Sequence, residues 1–192
     1  MKKILIVSCL CFSSVILFSQ TGQISRARFS VNGGVGWSHY INTLKIGSSN
    51  ATEDHIGFSF RLLWEPEHRL SLGLESGYYT FYSLSKTASS SSPGSGESSF
   101  TVIPILLHLR MRVINNFYLT AGTGASILSS NTTVLKNTSE SSQVSLADFQ
   151  LSAIYLYPIT KKISLGGEIK FLNIAKTEDF ALSLQGVISY KF

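Results

Sequence analysis

Histidine is the side chain best suited to acid–base chemistry near neutral pH, and this chain of 192 residues contains only 4. His108 lies in a segment of alternating apolar and polar residues, two positions before Arg110. A catalytic base needs a nucleophile and an orienting group within hydrogen-bonding reach. The spacing assigns no serine and no acid to His108. We therefore predict a structural hydrogen-bonding role for His108 and no enzymatic activity.

The remaining histidines are single residues at strand ends or in loops: His39, His55 and His68. The one close grouping of metal-binding residue types is Glu53-Asp54-His55. Consecutive residues of an extended segment point in alternating directions, so these three would not converge on one ion. The sequence therefore predicts neither a metal nor a cofactor.

The first residues have the features of an export signal. Two lysines precede an apolar run over Ile4–Phe18, and the small residue Ser19 follows. A basic start, a short apolar core and a small residue at its end are typical of a secretory signal peptide. We predict a signal peptide over residues 1–19 and a single domain over residues 20–192.

Both cysteines, Cys9 and Cys11, lie inside this signal. The segment Ile6–Cys9 is similar to a bacterial lipobox, but the apolar run continues past it to Phe18, which favours a cleaved signal over lipidation. The mature chain then has no thiol, so no disulfide can stabilise it.

The composition excludes several classes of protein. Hydrophobic residues make up 44% and charged residues 14%, compared with about 25% charged residues in an ordinary globular domain. A disordered chain would be less hydrophobic, and no apolar run is long enough for a membrane-spanning helix. The formal net charge is +5, but the basic residues are scattered, so we predict no nucleic-acid partner.

The hydrophobic pattern has a period of two residues, which indicates β-strands. From Phe180 to Phe192, every second residue is apolar or glycine. Eight such segments are predicted as strands: residues 28–39, 55–65, 69–82, 99–112, 116–128, 146–157, 162–174 and 180–192. Most are about twice the usual globular length. A tilted strand needs roughly 9–11 residues to cross a bilayer, and these segments are long enough.

The predicted connections alternate between short and long. Tight turns follow the second, fourth and sixth strands, whereas long polar loops occupy Tyr40–Asp54, Ser83–Ser98 and Ser129–Ser145. The last two loops are rich in serine, and we expect both to be mobile. Outer-membrane barrels have short periplasmic turns and longer external loops. The sequence therefore predicts an all-β fold, an eight-stranded antiparallel up-and-down transmembrane β-barrel.

Polar residues on the inward faces of these strands predict a filled lumen. Alternation places a set of charged residues inside: Arg61, Glu75, His108, Arg110, Glu168 and Lys170, with Asn32 and Gln185 beside them. Buried charges are tolerated when they are paired, so we expect an ion-pair network that plugs the barrel. The alternative is a narrow path for ions or a solute. Aromatic residues near strand ends are expected outside: Trp37, Trp64, Tyr78, Tyr82, Tyr155, Tyr157, Tyr190 and Phe192.

Two segments carry a family resemblance. Phe100–Arg110, with its Ile-Pro-Ile-Leu-Leu core, and Phe117–Gly124 resemble a strand–turn–strand unit of the outer-membrane protein β-barrel domain family, a porin-like group that includes PorT-type proteins. The terminal Tyr190-Lys191-Phe192 is similar to the aromatic signal read by the outer-membrane assembly machinery. The resemblance implies the outer membrane of a Gram-negative bacterium, with its lipids and this machinery as partners.

Three functions follow as hypotheses. The first is an integral outer-membrane barrel with a structural, adhesive or accessory role carried by its external polar loops. The second, implied by PorT-type relatives, is a component of a secretion or envelope-assembly machine with envelope or secretion proteins as partners. The third is a soluble lipocalin-like barrel that binds an apolar ligand. It is disfavoured because an outward apolar face would aggregate in water.

Overall fold

The computed structural model describes residues 28–41, 51–66, 69–86, 96–134 and 137–192. The predicted signal peptide with its two cysteines lies outside the described residues, and so does His68. None of the described residues belongs to a helix long and apolar enough to cross a membrane.

The described chain consists of eight long strands and one short strand. Their bounds are β1 Arg28–Ile41, β2 Ala51–Thr52, β3 Asp54–Glu65, β4 Leu70–Lys86, β5 Gly96–Ile114, β6 Phe117–Val134, β7 Asn137–Pro158, β8 Ile163–Ile174 and β9 Asp179–Lys191. The eight long strands coincide with the eight predicted strands, and the main differences are at their ends.

The strands close into a barrel. Each long strand pairs antiparallel with the next one along the chain, β1 pairs with β9 through residues such as Val35 and Gly186, and β4 pairs with β5. The short strand β2 pairs with the end of β4, at Ser83 and Leu84. This arrangement confirms the predicted eight-stranded antiparallel barrel, and closure leaves no free sheet edge within the barrel wall.

The alternation of apolar and polar residues along each strand places the apolar side chains on the outer wall of the barrel. On β3, Phe58, Phe60 and Leu62 expose 53%, 56% and 45% of their surface, whereas Arg61 between them is 2% exposed. All eight long strands contribute to this outer apolar belt. Such a belt is suited to contact with lipid hydrocarbon. It is the opposite of a soluble ligand-binding barrel, whose apolar residues face inward.

The two ends of the barrel differ in their connections. Short connections join β3 to β4, β5 to β6 and β7 to β8 at the end where β1 begins and β9 finishes. Following the length rule for outer-membrane barrels, we call this the periplasmic end and the opposite one the external end.

The strands in the middle of the chain are longer than predicted. The prediction of a loop over Ser129–Ser145 is wrong, because β6 continues to Val134 and β7 begins at Asn137, with paired residues throughout. Likewise, β4 extends to Lys86 and β5 begins at Gly96, so the predicted loop Ser83–Ser98 is partly strand. A serine- and threonine-rich segment can continue a ladder without an apolar face, because the barrel strands below already fix its register.

A β-bulge interrupts β7 near the external end. Gly124 pairs with Asp148 and Ala125 pairs with Leu146, so Ala147 is the extra residue. Ala147 has a φ of 66°, in the left-handed region. The bulge turns both Ser145 and Asp148 into the lumen, where both are fully buried.

Candidate functional site

A layer of charged and polar side chains fills the middle of the lumen. We call it the central cluster, and it consists of Arg61, Glu75, His108, Gln150, Glu168 and Lys170. Each of these residues is at most 2% exposed. They come from five strands, β3, β4, β5, β7 and β8, and converge because each occupies an inward position on its own strand.

Glu75 is the main acceptor of the central cluster. Its carboxylate accepts hydrogen bonds from Arg61 Nε at 2.6 Å, from Lys170 Nζ at 2.6 Å and from Gln150 Nε2 at 3.0 Å. His108 Nε2 lies 3.2 Å from the same carboxylate. Two cations and an amide therefore surround one buried anion, which is how a charge becomes tolerable in a low-dielectric interior.

Glu168 supplies the second negative charge. Arg61 Nη2 donates to Glu168 at 2.8 Å, and Lys170 Nζ lies 3.8 Å from the same carboxylate. Lys170 also donates to Tyr79 Oη at 3.0 Å. Two cations balance two carboxylates in this layer, with His108 as the additional titratable group.

Arg110 forms a separate cluster nearer the periplasmic end. Its guanidinium pairs with Glu65 and lies 4.8 Å above the ring of Tyr118, and Ser30 donates to the same glutamate at 2.8 Å. In the amide orientation that satisfies its neighbours, Asn32 accepts from Arg110 at 3.2 Å. The structure thus gives Arg110 a partner, Glu65, that the sequence analysis did not name.

Apolar side chains fill the lumen on both sides of the central cluster. Toward the external end, a layer of buried residues fills the interior: Tyr40, Phe81, Val102, Leu106, Leu128, Leu172 and Ile174. Toward the periplasmic end, Ile154, Leu156 and Val187 pack against Tyr118. These apolar inward residues were not predicted, because only polar residues at inward positions were assigned to the lumen. The interior is instead layered by polarity.

Two further inward residues, Asp148 and Gln150, were not predicted. Both alternate in phase with the outward residues Tyr155 and Tyr157, so the period of two already contained the signal for their inward position. Asp148 Oδ1 accepts from the backbone N–H of Ala175 at 2.8 Å and so ties the β8–β9 turn to the barrel wall.

The other predicted residues lie at the rims. Tyr190 and Phe192 face outward at the periplasmic end, where their rings meet edge to face at 5.1 Å. Trp37, Trp64, Tyr78, Tyr155 and Tyr157 are also exposed on the outer wall. Tyr82 departs from the prediction. A register shift between Thr80 and Tyr82 leaves it partly buried, and its ring stacks on Phe100 at 5.6 Å.

The two described histidines outside the lumen, His39 and His55, have other contacts. His39 Nδ1 lies 2.8 Å from Asp54 Oδ1, which also accepts from the indole of Trp37. His55 Nε2 contacts the backbone carbonyl of Thr52. Within the ranges that the structure describes, no group of three or more His, Cys, Asp or Glu side chains is placed to hold a metal.

The strands that were longer than predicted project at the external end. We define the external sheet as Thr80–Lys86, Gly96–Thr101, Ser129–Val134 and Asn137–Val144. Its β4 edge is covered where β2 pairs with Ser83 and Leu84. Along its β7 edge, no described strand pairs with Thr138–Gln143 on the outer side, since the pairing of β8 with β7 begins only at Phe149. Every residue from Thr138 to Val144 is exposed.

Comparison with known proteins shows the fold. No protein-family model matches the chain, and no curated protein matches it in sequence. Among solved structures, Ail, the attachment invasion locus protein of Yersinia pestis, in complex with the heparin analogue sucrose octasulfate, aligns with a TM-score of 0.58 and 11% identity, covering 86% of this chain and 99% of Ail. A major outer membrane protein of Thermus thermophilus aligns with a TM-score of 0.52 and 15% identity, covering 87% of this chain and all of the other.

These alignments and the apolar outer wall define the class of protein. A closed antiparallel barrel whose exterior is apolar and whose interior buries a layer of charged residues requires a bilayer around it. The protein is an integral β-barrel of the bacterial outer membrane, with the fold of the small eight-stranded members of that class. These alignments support an outer-membrane barrel fold in general and not a PorT-type protein in particular.

Proposed function

We propose that this barrel is a non-enzymatic recognition or adhesion protein whose external sheet binds extended polypeptide segments by strand addition. The observation that carries the proposal is the β7 edge of the external sheet, at which Thr138–Gln143 lie beyond the last residue paired with β8 and have no described strand beside them on that side. An unpaired edge presents a row of backbone N–H and C=O groups, which is a template for another strand.

The composition of the edge supports this role. The exposed side chains of Thr138–Gln143 are small or polar, with one charge at Glu140. Natural edge strands are often protected by lysine, proline or a covering loop, and this segment contains neither lysine nor proline. Such an edge offers main-chain hydrogen bonds with little side-chain selectivity.

The lumen supports a non-enzymatic role. His108 is fully buried, and its ring contacts Glu75 at 3.2 Å and Gln150 at 3.4 Å. Apolar layers lie on both sides of the central cluster. A substrate would have to displace these layers to reach it.

The structural likeness to Ail is consistent with an adhesive role, since that protein is described as an attachment protein. Binding of a sulfated sugar is not favoured for this chain. The described external end exposes five carboxylate residues: Glu53, Asp54, Glu97, Glu140 and Glu178. They would repel a polyanion.

The test shortens the projecting hairpin. Ser129 and Ser142 are directly paired, so replacing Ser130–Ser141 by Asn-Gly should close a tight hairpin at that pair. Binding of the refolded protein to immobilised casein, an unfolded polypeptide, is compared with binding to folded lysozyme. We expect casein binding to fall at least tenfold in the shortened variant.

A scrambled variant is the matched control. It keeps the length and composition of Ser130–Ser141 in a different order, and it should retain binding if the backbone is what is recognised. Equal binding by the shortened and wild-type proteins would contradict the proposal. Loss of export of other proteins on deletion of the gene would instead assign the barrel to a secretion machine.

A further inference from the structure

Six basic residues surround the periplasmic end of the barrel, and we call them the basic rim: Arg28, Arg69, Arg112, Lys161, Lys162 and Lys191. Four of them are exposed, while Arg112 and Lys191 are partly buried. These residues are scattered in the sequence, where they lie far apart along the chain. Barrel closure brings them to one end.

Backbone contacts gather the basic rim into two arcs. The N–H of Lys191 donates to the carbonyl of Lys162 at 2.8 Å, and Lys191 pairs in register with Ser30, two residues after Arg28. On the other side, the N–H of Arg112 donates to the carbonyl of Arg69 at 2.8 Å. The first arc contains four cations and the second contains two.

The charges of the basic rim are uncompensated within the described chain. None of the six side chains forms an ion pair with another described residue, whereas the lumen cations all do. Glu65, the acidic residue described at this end, is already engaged by Arg110 and Ser30. Cationic side chains that form no ion pair within the described ranges can meet an external anion.

Counted over the described residues, the two ends of the barrel therefore carry opposite charge. The described external end exposes five acidic residues, and Lys176 is the exposed lysine there. The periplasmic end has the basic rim. An asymmetry of this kind gives the barrel a preferred electrostatic environment on each side of the membrane.

Aromatic residues fix the depth of the basic rim in the bilayer. Tyr190 and Phe192 flank Lys191 along the chain, and Phe29 follows Arg28. Their side chains are 39%, 69% and 48% exposed on the outer wall. Aromatic girdles mark the boundary between hydrocarbon and headgroups, so these cations lie at the level of the headgroups.

We propose that the basic rim binds the headgroups of anionic phospholipids in the periplasmic leaflet. The partner is identified by charge complementarity and by position, because a phosphodiester is the anion found at that depth. Each basic side chain near an anionic membrane surface contributes roughly fivefold in binding. This inference does not depend on the proposed role of the external sheet.

The test measures lipid selectivity. The refolded barrel is equilibrated in micelles containing equal amounts of phosphatidylglycerol and phosphatidylcholine, and the lipids that remain bound are counted by native mass spectrometry. Wild-type protein should retain phosphatidylglycerol at least fivefold over phosphatidylcholine. The triple variant K161Q/K162Q/K191Q should lose most of this preference, and 1 M salt should weaken it in the wild type.

A variant with three neutralised carboxylates at the other end, E53Q/E97Q/E140Q, is the matched control and should keep the wild-type preference. A heat-shift gel establishes that every variant is folded. Equal retention of the two lipids by the wild type, or an unchanged preference in the triple lysine variant, would overturn the proposal. Binding of polyglutamate by the wild type without lipid preference would also overturn it, and would assign the basic rim to an acidic protein partner.

Discussion

At the scale of single residues, Glu75 determines whether the lumen is stable. It accepts from Arg61, Lys170 and Gln150 in a fully buried position. A buried cation that loses its partner has neither water nor protein to solvate it. The stability of the barrel should therefore depend on this one carboxylate more than on any exposed charge.

We expect the substitution Glu75→Gln to lower the free energy of unfolding by about 3–5 kcal/mol. The measurement is a urea titration in lipid vesicles, followed by tryptophan fluorescence. Glu140→Gln removes the same charge from an exposed site on the external sheet and should change stability by less than about 0.5 kcal/mol. Equal effects of the two substitutions would show that the central cluster adds little to stability.

Gly122 provides the space for the His108 ring. A methyl group at Gly122 would lie 2.8 Å from His108 Cε1, which is too close for an ordinary contact. Gly122→Ala should destabilise the barrel by about 1–3 kcal/mol. At Gly186 the nearest atom would be 3.8 Å away, so Gly186→Ala is the matched control and should be tolerated.

A double variant distinguishes a clash with the His108 ring from a general effect of replacing a glycine in the strand. If the clash with the ring is responsible, adding His108→Ser to Gly122→Ala should recover part of the lost stability. If the free energy of unfolding does not recover in the double variant, measured in the same urea titration, the destabilisation comes from the backbone at Gly122 and not from the ring.

At the scale of elements, the bulge in β7 carries a cost that can be removed. Ala147 has a φ of 66°, and a left-handed conformation costs a residue with a side chain roughly 1–2 kcal/mol. Ala147→Gly should therefore raise the free energy of unfolding by about 0.5–1 kcal/mol.

Ala153, on the same strand, is the control for this prediction. It is paired in regular register with Leu119 and Ile169, so Ala153→Gly should be destabilising. If Ala147→Gly also destabilises the barrel in the urea titration, the bulge is not strained.

The positions of the strands were predictable because the period-two pattern reports burial on one face, and one face of every strand meets lipid. The lengths of β6 and β7 were not. Ser129–Val134 and Asn137–Ser145 have no apolar face, and their ladder continues because the strands below hold them in register. The composition of a segment indicates whether its side chains face lipid, the interior or water. It does not indicate whether a neighbouring strand is available to pair with that segment.

At the scale of the whole molecule, the layered lumen predicts a closed barrel. Fully buried Phe81, Val102 and Leu106 lie above the central cluster. The protein should show no steady single-channel conductance in planar bilayers, with protein-free bilayers as the control. Steady conductance from folded protein would instead support the narrow solute path considered from the sequence.

The closed ladder should also survive detergent. An unboiled sample is expected to migrate differently from a boiled one on a gel, because a barrel wall that closes on itself through paired strands resists unfolding. This gel is the folding control for every variant above, and outer-membrane fractionation is its companion measurement. Recovery of the wild type in the soluble periplasm without a gel shift would contradict the membrane assignment.

The sequence by itself determined the outer wall, the strand count and the inward position of residues such as Arg61, Glu75 and Lys170. These follow from local alternation, which each strand carries independently. Only the tertiary structure decided the partners: Arg61 meets Glu168 across 107 residues of sequence, and Arg110 meets Glu65. The physical reason is that cross-lumen contacts depend on stagger, bulges and closure. These are properties of all the strands together and of no single segment.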